Sequence, residues 1–215
     1  MTTDSRHSRG ERLALADLLD ELGPDAPTLC VGWTTGDLTA HLVVREGEPL
    51  AAAGILIPPL AQRTADAMAR LRRDHSHAEL VSRVRNGPPS WSPLRLGLLD
   101  GAANTVEFFV HHEDVRRAQE GWEPRRLDPD LQEFLWRRLR TAGRLLFRSA
   151  AVGILLARPD GGAVQRVRSG EPTAVLAGRP SELTLYAFGR KDAARVDVSG
   201  PDAAVEALRH AHFEV

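Results

Sequence analysis

The stretch Leu99-Asp-Gly-Ala-Ala-Asn-Thr-Val-Glu-Phe-Phe-Val-His-His-Glu-Asp-Val-Arg116 decides the fold that we predict for this chain. Its pattern predicts a helix, and a helix turns by about 100° per residue. Glu107, His111 and Asp114 therefore project from one face, because they are spaced by four and then three residues. Apolar residues flank this face on both sides: Leu99, Ala103, Val106, Val110, Phe108 and Val115. The three polar side chains thus fall in the middle of an apolar arc.

The opposite side of the same helix carries Thr105, His112, Glu113 and Arg116, and we expect it to face solvent. Burying an unpaired charge costs several kcal/mol, so the polar groups on the apolar side need partners. A bound metal would supply one. Alternatively, Glu107 pairs with a buried arginine such as Arg45, and His111 hydrogen-bonds to a backbone carbonyl. The spacing alone leaves both answers open.

A metal site needs at least a third ligand, and His41 is the best candidate among the eight histidines. It lies in the middle of a predicted helix, although Arg45 and Glu48 share its stripe. Its other neighbours on the helix are apolar: Leu38, Leu42 and Val44. Two imidazoles and the Glu107 carboxylate would leave a fourth position open, as in catalytic zinc sites, whereas structural sites usually have four ligands.

Periodicity divides the chain into a helical part and a mixed part. Residues 1–150 predict a helical bundle, and residues 151–215 predict a small α+β domain. The predicted helices cover 9–22, 35–57, 62–84, 99–121, 130–149, 181–189 and 201–212, and the predicted strands cover 152–157, 164–168, 173–177 and 195–199.

Composition is that of a soluble globular protein, with 42% apolar and 27% charged residues. Twenty-eight basic and 29 acidic residues give a net charge of −1, so charge offers no case for nucleic acid or a membrane surface as partner. No apolar run approaches the roughly 20 residues of a membrane helix. The single cysteine, Cys30, excludes an intrachain disulfide and favours a cytoplasmic location. We expect Cys30 to be a small buried hydrophobe, with a reactive thiol as the alternative.

Two segments carry a resemblance to a known superfamily. Cys30-Val-Gly-Trp-Thr-Thr-Gly-Asp-Leu-Thr-Ala-His-Leu-Val43 resembles the signature GWT-xx-DL-x-AHL of the DinB-like metal-binding four-helix bundles, and the segment from Glu107 to Arg116 resembles their later metal helix. Within that superfamily, the chain resembles the mycothiol-dependent maleylpyruvate isomerase group of actinobacteria. The stretch 181–190 resembles the small α+β domain, similar to sterol carrier proteins, that follows the bundle in many members. The resemblance implies a mostly α fold, a four-helix bundle followed by that small domain.

The resemblance also implies a ligand set and a chemistry. The positions of the metal ligands match His41, Glu107 and His111. The metal would be divalent, with zinc the first expectation and nickel, manganese or iron as alternatives. It would hold a low-molecular-weight thiol such as mycothiol as thiolate for S-transfer to, or isomerisation of, a small electrophile. The expected partners are that thiol and that electrophile, with a homodimer as one option.

Two further residues are candidates for the catalytic machinery. Asp114 can orient a ligand imidazole or the amine of the thiol, although a salt bridge to Arg45 explains it equally well. The isomerase branch brings an arginine from its second domain to an anionic substrate, and Arg190 is the candidate for that part here, with an ordinary surface arginine as the alternative.

A different class of function also fits the sequence. Many bundles of this superfamily have no demonstrated reaction, so the chain can be a non-catalytic metal-binding module for sensing, sequestration or protein interaction. An open coordination position facing a pocket would favour the enzyme, and a closed site would favour the module.

Overall fold

Helices fill most of the chain up to residue 146, and a small sheet follows. The computed structural model describes residues 3–88, 101–159 and 162–213, so Leu99 at the start of the deciding stretch lies outside them. The helices before the sheet are α1 (Thr3–Leu22), α2 (Thr35–Gly47), α3 (Pro49–Leu56), α4 (Ala61–Asp74), α5 (His77–Asn86), α6 (Gly101–Arg116) and α7 (Pro129–Leu146). The remaining elements are β1 (Gly153–Ala157), β2 (Val164–Arg168), β3 (Thr173–Ala177), α8 (Pro180–Ala187), β4 (Asp197–Ser199) and α9 (Asp202–His210).

The predicted order of elements is confirmed, but two long predicted helices are each divided in two. The helix predicted over 35–57 ends at Gly47, and α3 begins at Pro49. Proline has no N–H to donate inside a helix but is tolerated in a first turn. The helix predicted over 62–84 is interrupted at His75–Ser76, where Ser76 starts a new helix by forming a capping box with Glu79.

The start of α2 is fixed by local hydrogen bonds, which matters because this helix carries His41. Thr34 is its N-cap, as the sequence indicates, and forms a capping box with Asp37. The backbone N–H of Thr34 donates to Asp37 Oδ2 at 3.0 Å, and Arg72 of α4 forms an ion pair with the same carboxylate. The first turn of α2 is therefore held at both its backbone and its side chains.

Contacts divide the chain into two compact units, residues 1–124 and 125–215. In the first unit, α1, α2, α5 and α6 share an apolar cluster, whose fully buried members include Leu15, Leu19, Leu38, Leu42, Val81 and Phe108. The packing of α1 along α6 brings the two helices that are farthest apart in this unit's sequence into contact. The unit therefore holds both α2 and α6 in defined positions.

The face of α6 that we expected to be exposed is largely buried, so that prediction is wrong for three of its four residues; Arg116 is half-buried. His112 is 6% exposed, Glu113 is 1% exposed, and Thr105 is completely buried. The reason is that α1 supplies a polar partner on this side: Glu11 Oε2 lies 3.1 Å from His112 Nδ1. A helical wheel shows the polarity of a face and not which helix covers it.

The second unit contains the sheet, in the strand order β2-β1-β3-β4. β1 and β3 are parallel, and β2 and β4 are antiparallel to their neighbours. Helix α7 belongs to this unit, because its apolar side chains share a cluster with the strands; members are Trp136, Leu139, Leu146, Ile154, Leu156 and Leu176. The contact division thus falls at residue 124, whereas the sequence pattern places the domain boundary at residue 150.

None of the helices in the described ranges combines the length and the apolar character that crossing a bilayer requires.

Candidate metal centre

The structure brings together the three residues that the sequence nominates as metal ligands. His41 lies in the middle of α2, and Glu107 and His111 lie one turn apart on α6. One ligand atom from each residue is within 4.8 Å of the other two. His111 Nε2 is 3.2 Å from Glu107 Oε1, and His41 Nε2 is 3.7 Å from the same oxygen. Two imidazole nitrogens therefore converge on one carboxylate oxygen.

The chemistry of this donor set fits a divalent metal ion. Two imidazoles and one carboxylate are ligands that zinc accepts, and other first-row metals use the same set. The side chains of His41 and His111 are only 7% and 11% exposed, whereas that of Glu107 is 25% exposed. The cluster is therefore screened on the histidine side and reaches solvent at Glu107.

Arg45 also contacts the cluster, as the salt-bridge interpretation expected. Its Nε lies 3.3 Å from Glu107 Oε1, and its Nη1 donates to Asn104 Oδ1 at 2.7 Å. The histidine cluster and the Arg45–Glu107 pair are thus present together, so they are not exclusive alternatives. The other half of that interpretation differs from the structure, because His111 hydrogen-bonds to carboxylates and not to a backbone carbonyl.

Asp114 is completely buried beside His111. Its Oδ2 lies 3.0 Å from His111 Nδ1 and accepts a hydrogen bond from the Cys30 thiol at 3.3 Å. The backbone N–H of Leu29 donates to the Asp114 carbonyl at 3.0 Å, which ties the loop before α2 to α6. A carboxylate in this place orients the imidazole of His111, as is common behind metal-binding histidines.

Hydrogen bonds inside the cluster set the charge of His111. Burial by itself would lower the pKa of this imidazole. The hydrogen bonds with Asp114, Cys30 and Glu107 outweigh burial and hold the pKa of His111 well above its usual range. The same hydrogen bonds therefore favour the charged form of His111 in the metal-free protein.

The other two members of the cluster are shifted by the same contacts. Burial would raise the pKa of Glu107, but hydrogen bonds with His111 and His41 and the positive charges of His111 and Arg45 hold it well below its usual range. The pKa of His41 is lowered, chiefly by burial, although Glu107 acts in the opposite direction. Without a metal, these contacts thus favour an ionised Glu107, a charged His111 and a neutral His41.

Cys30 lies closer to the site than a purely structural role requires. Cys30, His111 and Asp114 form a second group of residues whose ligand atoms could hold a metal. Both groups contain His111, so we expect them to be alternatives for one ion. The thiol is half-buried and is packed against the apolar cluster of the first unit, in agreement with the hydrophobe interpretation.

Some contacts of the site were not predicted from the sequence. Asn104 holds the guanidinium of Arg45, and the ring of Trp33 lies 5.0 Å from that of His41 between centroids. Asn104 precedes Glu107 by three residues, and this helical spacing was the available signal. Nothing in the sequence indicated that the Cys30 thiol meets Asp114, because the thiol lies in an irregular loop.

Arg190 lies in the second compact unit, after α8, where its Nη1 donates to the Phe188 carbonyl at 2.5 Å. Its assignment to the catalytic machinery stays a prediction.

Comparisons with known proteins agree with this architecture. Residues 5–142 match the family model described as mycothiol maleylpyruvate isomerase N-terminal domain. Among solved structures, the crystal structure of a mycothiol-dependent maleylpyruvate isomerase has 16% sequence identity and a TM-score of 0.58, and it covers 92% of this chain and 90% of its own. A histidine-to-alanine mutant of such an isomerase has 15% identity, a TM-score of 0.57 and the same coverage. Comparison with curated protein sequences yields no significant match. The predicted resemblance and the predicted fold class are confirmed.

Proposed function

This chain belongs to the mycothiol maleylpyruvate isomerase N-terminal domain family, and from that premise we propose that it is a metal-dependent enzyme that uses a low-molecular-weight thiol. The thiol would be mycothiol or a compound of that type, and the reaction an isomerisation or S-transfer on a small electrophile. Related structures are those of mycothiol-dependent maleylpyruvate isomerases, which makes maleylpyruvate a first electrophile to try.

The observation that carries this proposal is the convergence of His41 Nε2 and His111 Nε2 on Oε1 of Glu107, whose side chain is 25% exposed. These residues would hold the metal, and zinc is the metal we favour because it accepts this donor set with a position left open. A bound divalent cation lowers the pKa of a coordinating thiol, so that the thiol is present as the nucleophilic thiolate.

The remaining work falls to the side chains of the chain itself. Asp114 accepts from His111 Nδ1 and so directs His111 Nε2 towards Glu107 and His41. A proton held at His111 in the metal-free protein must leave when the imidazole becomes a ligand. The protein needs no nucleophile of its own, because the small thiol supplies it.

The test is the formation of product from the thiol and an electrophile. Protein loaded with Zn²⁺ is incubated with mycothiol and a panel of electrophiles that includes maleylpyruvate, and products are identified by mass spectrometry and chromatography. We expect an adduct or an isomer with the loaded wild type and none with metal-free protein or with a His41→Ala/His111→Ala double variant. Product no greater than in the metal-free control would contradict the enzyme proposal and favour the non-catalytic metal-binding module.

The cytoplasmic location, the actinobacterial source and the homodimer stay predictions.

A further inference from the structure

Arg45 lies at the exposed side of the candidate metal centre. The closest contact of Arg45 with Glu107 joins Nε and Oε1 at 3.3 Å, and Nη1 donates to Asn104 Oδ1 at 2.7 Å. Nη2 has no hydrogen-bond partner among residues 3–88, 101–159 and 162–213, and the side chain is 19% exposed. Nη2 of Arg45 is therefore available to donate a hydrogen bond to a ligand. It lies on a side chain that contacts Glu107, whose own side chain is 25% exposed.

Arg12, a second partly buried arginine of the same unit, neutralises its carboxylate through several hydrogen bonds and serves as a comparison. Arg12 uses Nη1 and Nη2 on the two oxygens of Glu46, and its Nη1 also donates to the Val84 carbonyl. Its guanidinium lies over the ring of Phe108 at 4.2 Å. These contacts hold Arg12 firmly, whereas the contact of Arg45 with Glu107 is an ion pair whose shortest distance, from Nε to Oε1, is 3.3 Å.

The charges around the cluster favour an anion once a divalent cation is present. Before the thiol binds, two positive charges on the cation and one on Arg45 would exceed the two negative charges of Glu107 and Asp114; a bound thiolate would balance them, so the electrophile would meet a site without net negative charge. An excess of positive charge in a partly buried site attracts anionic ligands. Nη2, the nitrogen of Arg45 that has no hydrogen-bond partner in the described ranges, carries N–H groups that a carboxylate can accept.

Given the function proposed above, on which this inference rests, we infer that Arg45 binds the carboxylate of an anionic electrophile and so selects that class of substrate. Asn104 acts as a positioning residue, because it holds Nη1 and thereby sets the direction of the guanidinium. The alternative role for Arg45 is that of a counter-ion which only neutralises Glu107.

The experiment measures binding and not turnover. Zn²⁺-loaded protein is titrated calorimetrically with maleate, which carries carboxylates beside an electrophilic double bond, and with its neutral diamide, maleamide. The variants are Arg45→Gln, Arg45→Lys and the control Arg85→Gln. Arg85→Gln changes the net charge by the same amount as Arg45→Gln. Arg85 forms ion pairs with Asp17 and Asp20 of α1, away from the cluster. The zinc content of every sample is measured by elemental analysis.

We expect wild-type protein to bind maleate at least about tenfold more tightly than maleamide, and Arg45→Gln to lose about tenfold or more of the maleate affinity. Arg45→Lys should recover part of the loss, because the charge remains and the planar fork does not. Arg85→Gln should bind both probes like the wild type.

Three results would overturn the inference: equal affinity of wild-type protein for the two probes, unchanged maleate affinity in Arg45→Gln, or a loss in Arg45→Gln that is matched by an equal loss of zinc. In the last two cases the metal, and not the guanidinium, holds the anion. Maleate binding that depends on Arg45, in a protein that forms no thiol product, would uphold this inference and contradict the proposed function. Product formation together with Arg45-independent binding would do the reverse.

Discussion

Two groups of polar side chains lie on different sides of α6, and both are largely buried. On one side, His112 meets Glu11 at 3.1 Å, and Glu113 accepts from Arg117 Nε at 2.6 Å. These four side chains are 1–8% exposed. On the other side, Glu107 is approached through a single oxygen by two histidines and Arg45, and it stays 25% exposed.

The difference separates structural pairs from a candidate site. We call the pairs His112–Glu11 and Glu113–Arg117 the closed group, and the side chains around Glu107 the open group. In the first group, Glu11 of α1 faces His112 of α6, and Glu113 of α6 pairs with Arg117, which follows directly after that helix. All four side chains are removed from solvent. In the second group, the closest contacts of two imidazoles and one guanidinium all fall on Oε1 of Glu107, and the side chain of Glu107 is 25% exposed. Burial of polar groups alone therefore does not mark a metal centre, because α6 buries polar groups on both sides.

The largest predicted effect is a loss of stability when a charge pair of the closed group is broken. Glu113→Gln removes the charge that neutralises Arg117, whose side chain is 1% exposed and lies over the ring of Trp122 at 4.7 Å. Breaking a buried pair by removing one partner costs about 3–5 kcal/mol. We expect the free energy of unfolding in urea to fall by about that amount.

The matched change in the open group is Glu107→Gln, which we expect to cost far less stability and to abolish metal binding. A larger loss of stability in Glu107→Gln than in Glu113→Gln would contradict the distinction between the two groups.

A smaller effect is expected from the second closed pair. Glu11→Gln keeps a hydrogen-bonding side chain facing His112 but removes the carboxylate from a site where both side chains are under a tenth exposed. Disturbing a buried hydrogen bond of this kind costs about 1–3 kcal/mol. Thermal and urea unfolding measure the loss. Metal content of the folded protein should stay at the wild-type level, and a fall would mean that the two sides of α6 are coupled.

These comparisons also show how far the sequence reached. Helical spacing found Glu107 and His111, and the apolar neighbours of His41 supplied the third member of the cluster, because these signals are local. The exposed face predicted at His112 failed because its partner Glu11 is 101 positions away in the chain. The family resemblance rests on short motifs around His41 and His111. Arg45 and Asn104 lie outside these motifs, and a motif that contains Cys30 or Asp114 does not show that the two side chains meet.

The smallest effect is expected from substitutions of Cys30, which test whether its thiol belongs to the open group. Cys30→Ser keeps a donor for Asp114, whereas Cys30→Ala leaves a buried acceptor with one bond fewer and should cost about 1 kcal/mol. With Co²⁺ as the bound metal, the absorption spectrum should be the same in wild type and Cys30→Ser, because we expect no thiolate ligand. Loss of a sulfur-to-metal charge-transfer band in Cys30→Ser would instead identify Cys30, His111 and Asp114 as the metal site.

The most direct test of the central claim is the metal content of purified protein, measured by elemental analysis for wild type, the His41→Ala/His111→Ala double variant and Glu11→Gln. If His41, Glu107 and His111 hold the metal, we predict about one divalent metal ion per chain in wild type and in Glu11→Gln, and almost none in the double variant. The same metal content in the double variant as in wild type would show that His41, Glu107 and His111 do not form the metal centre.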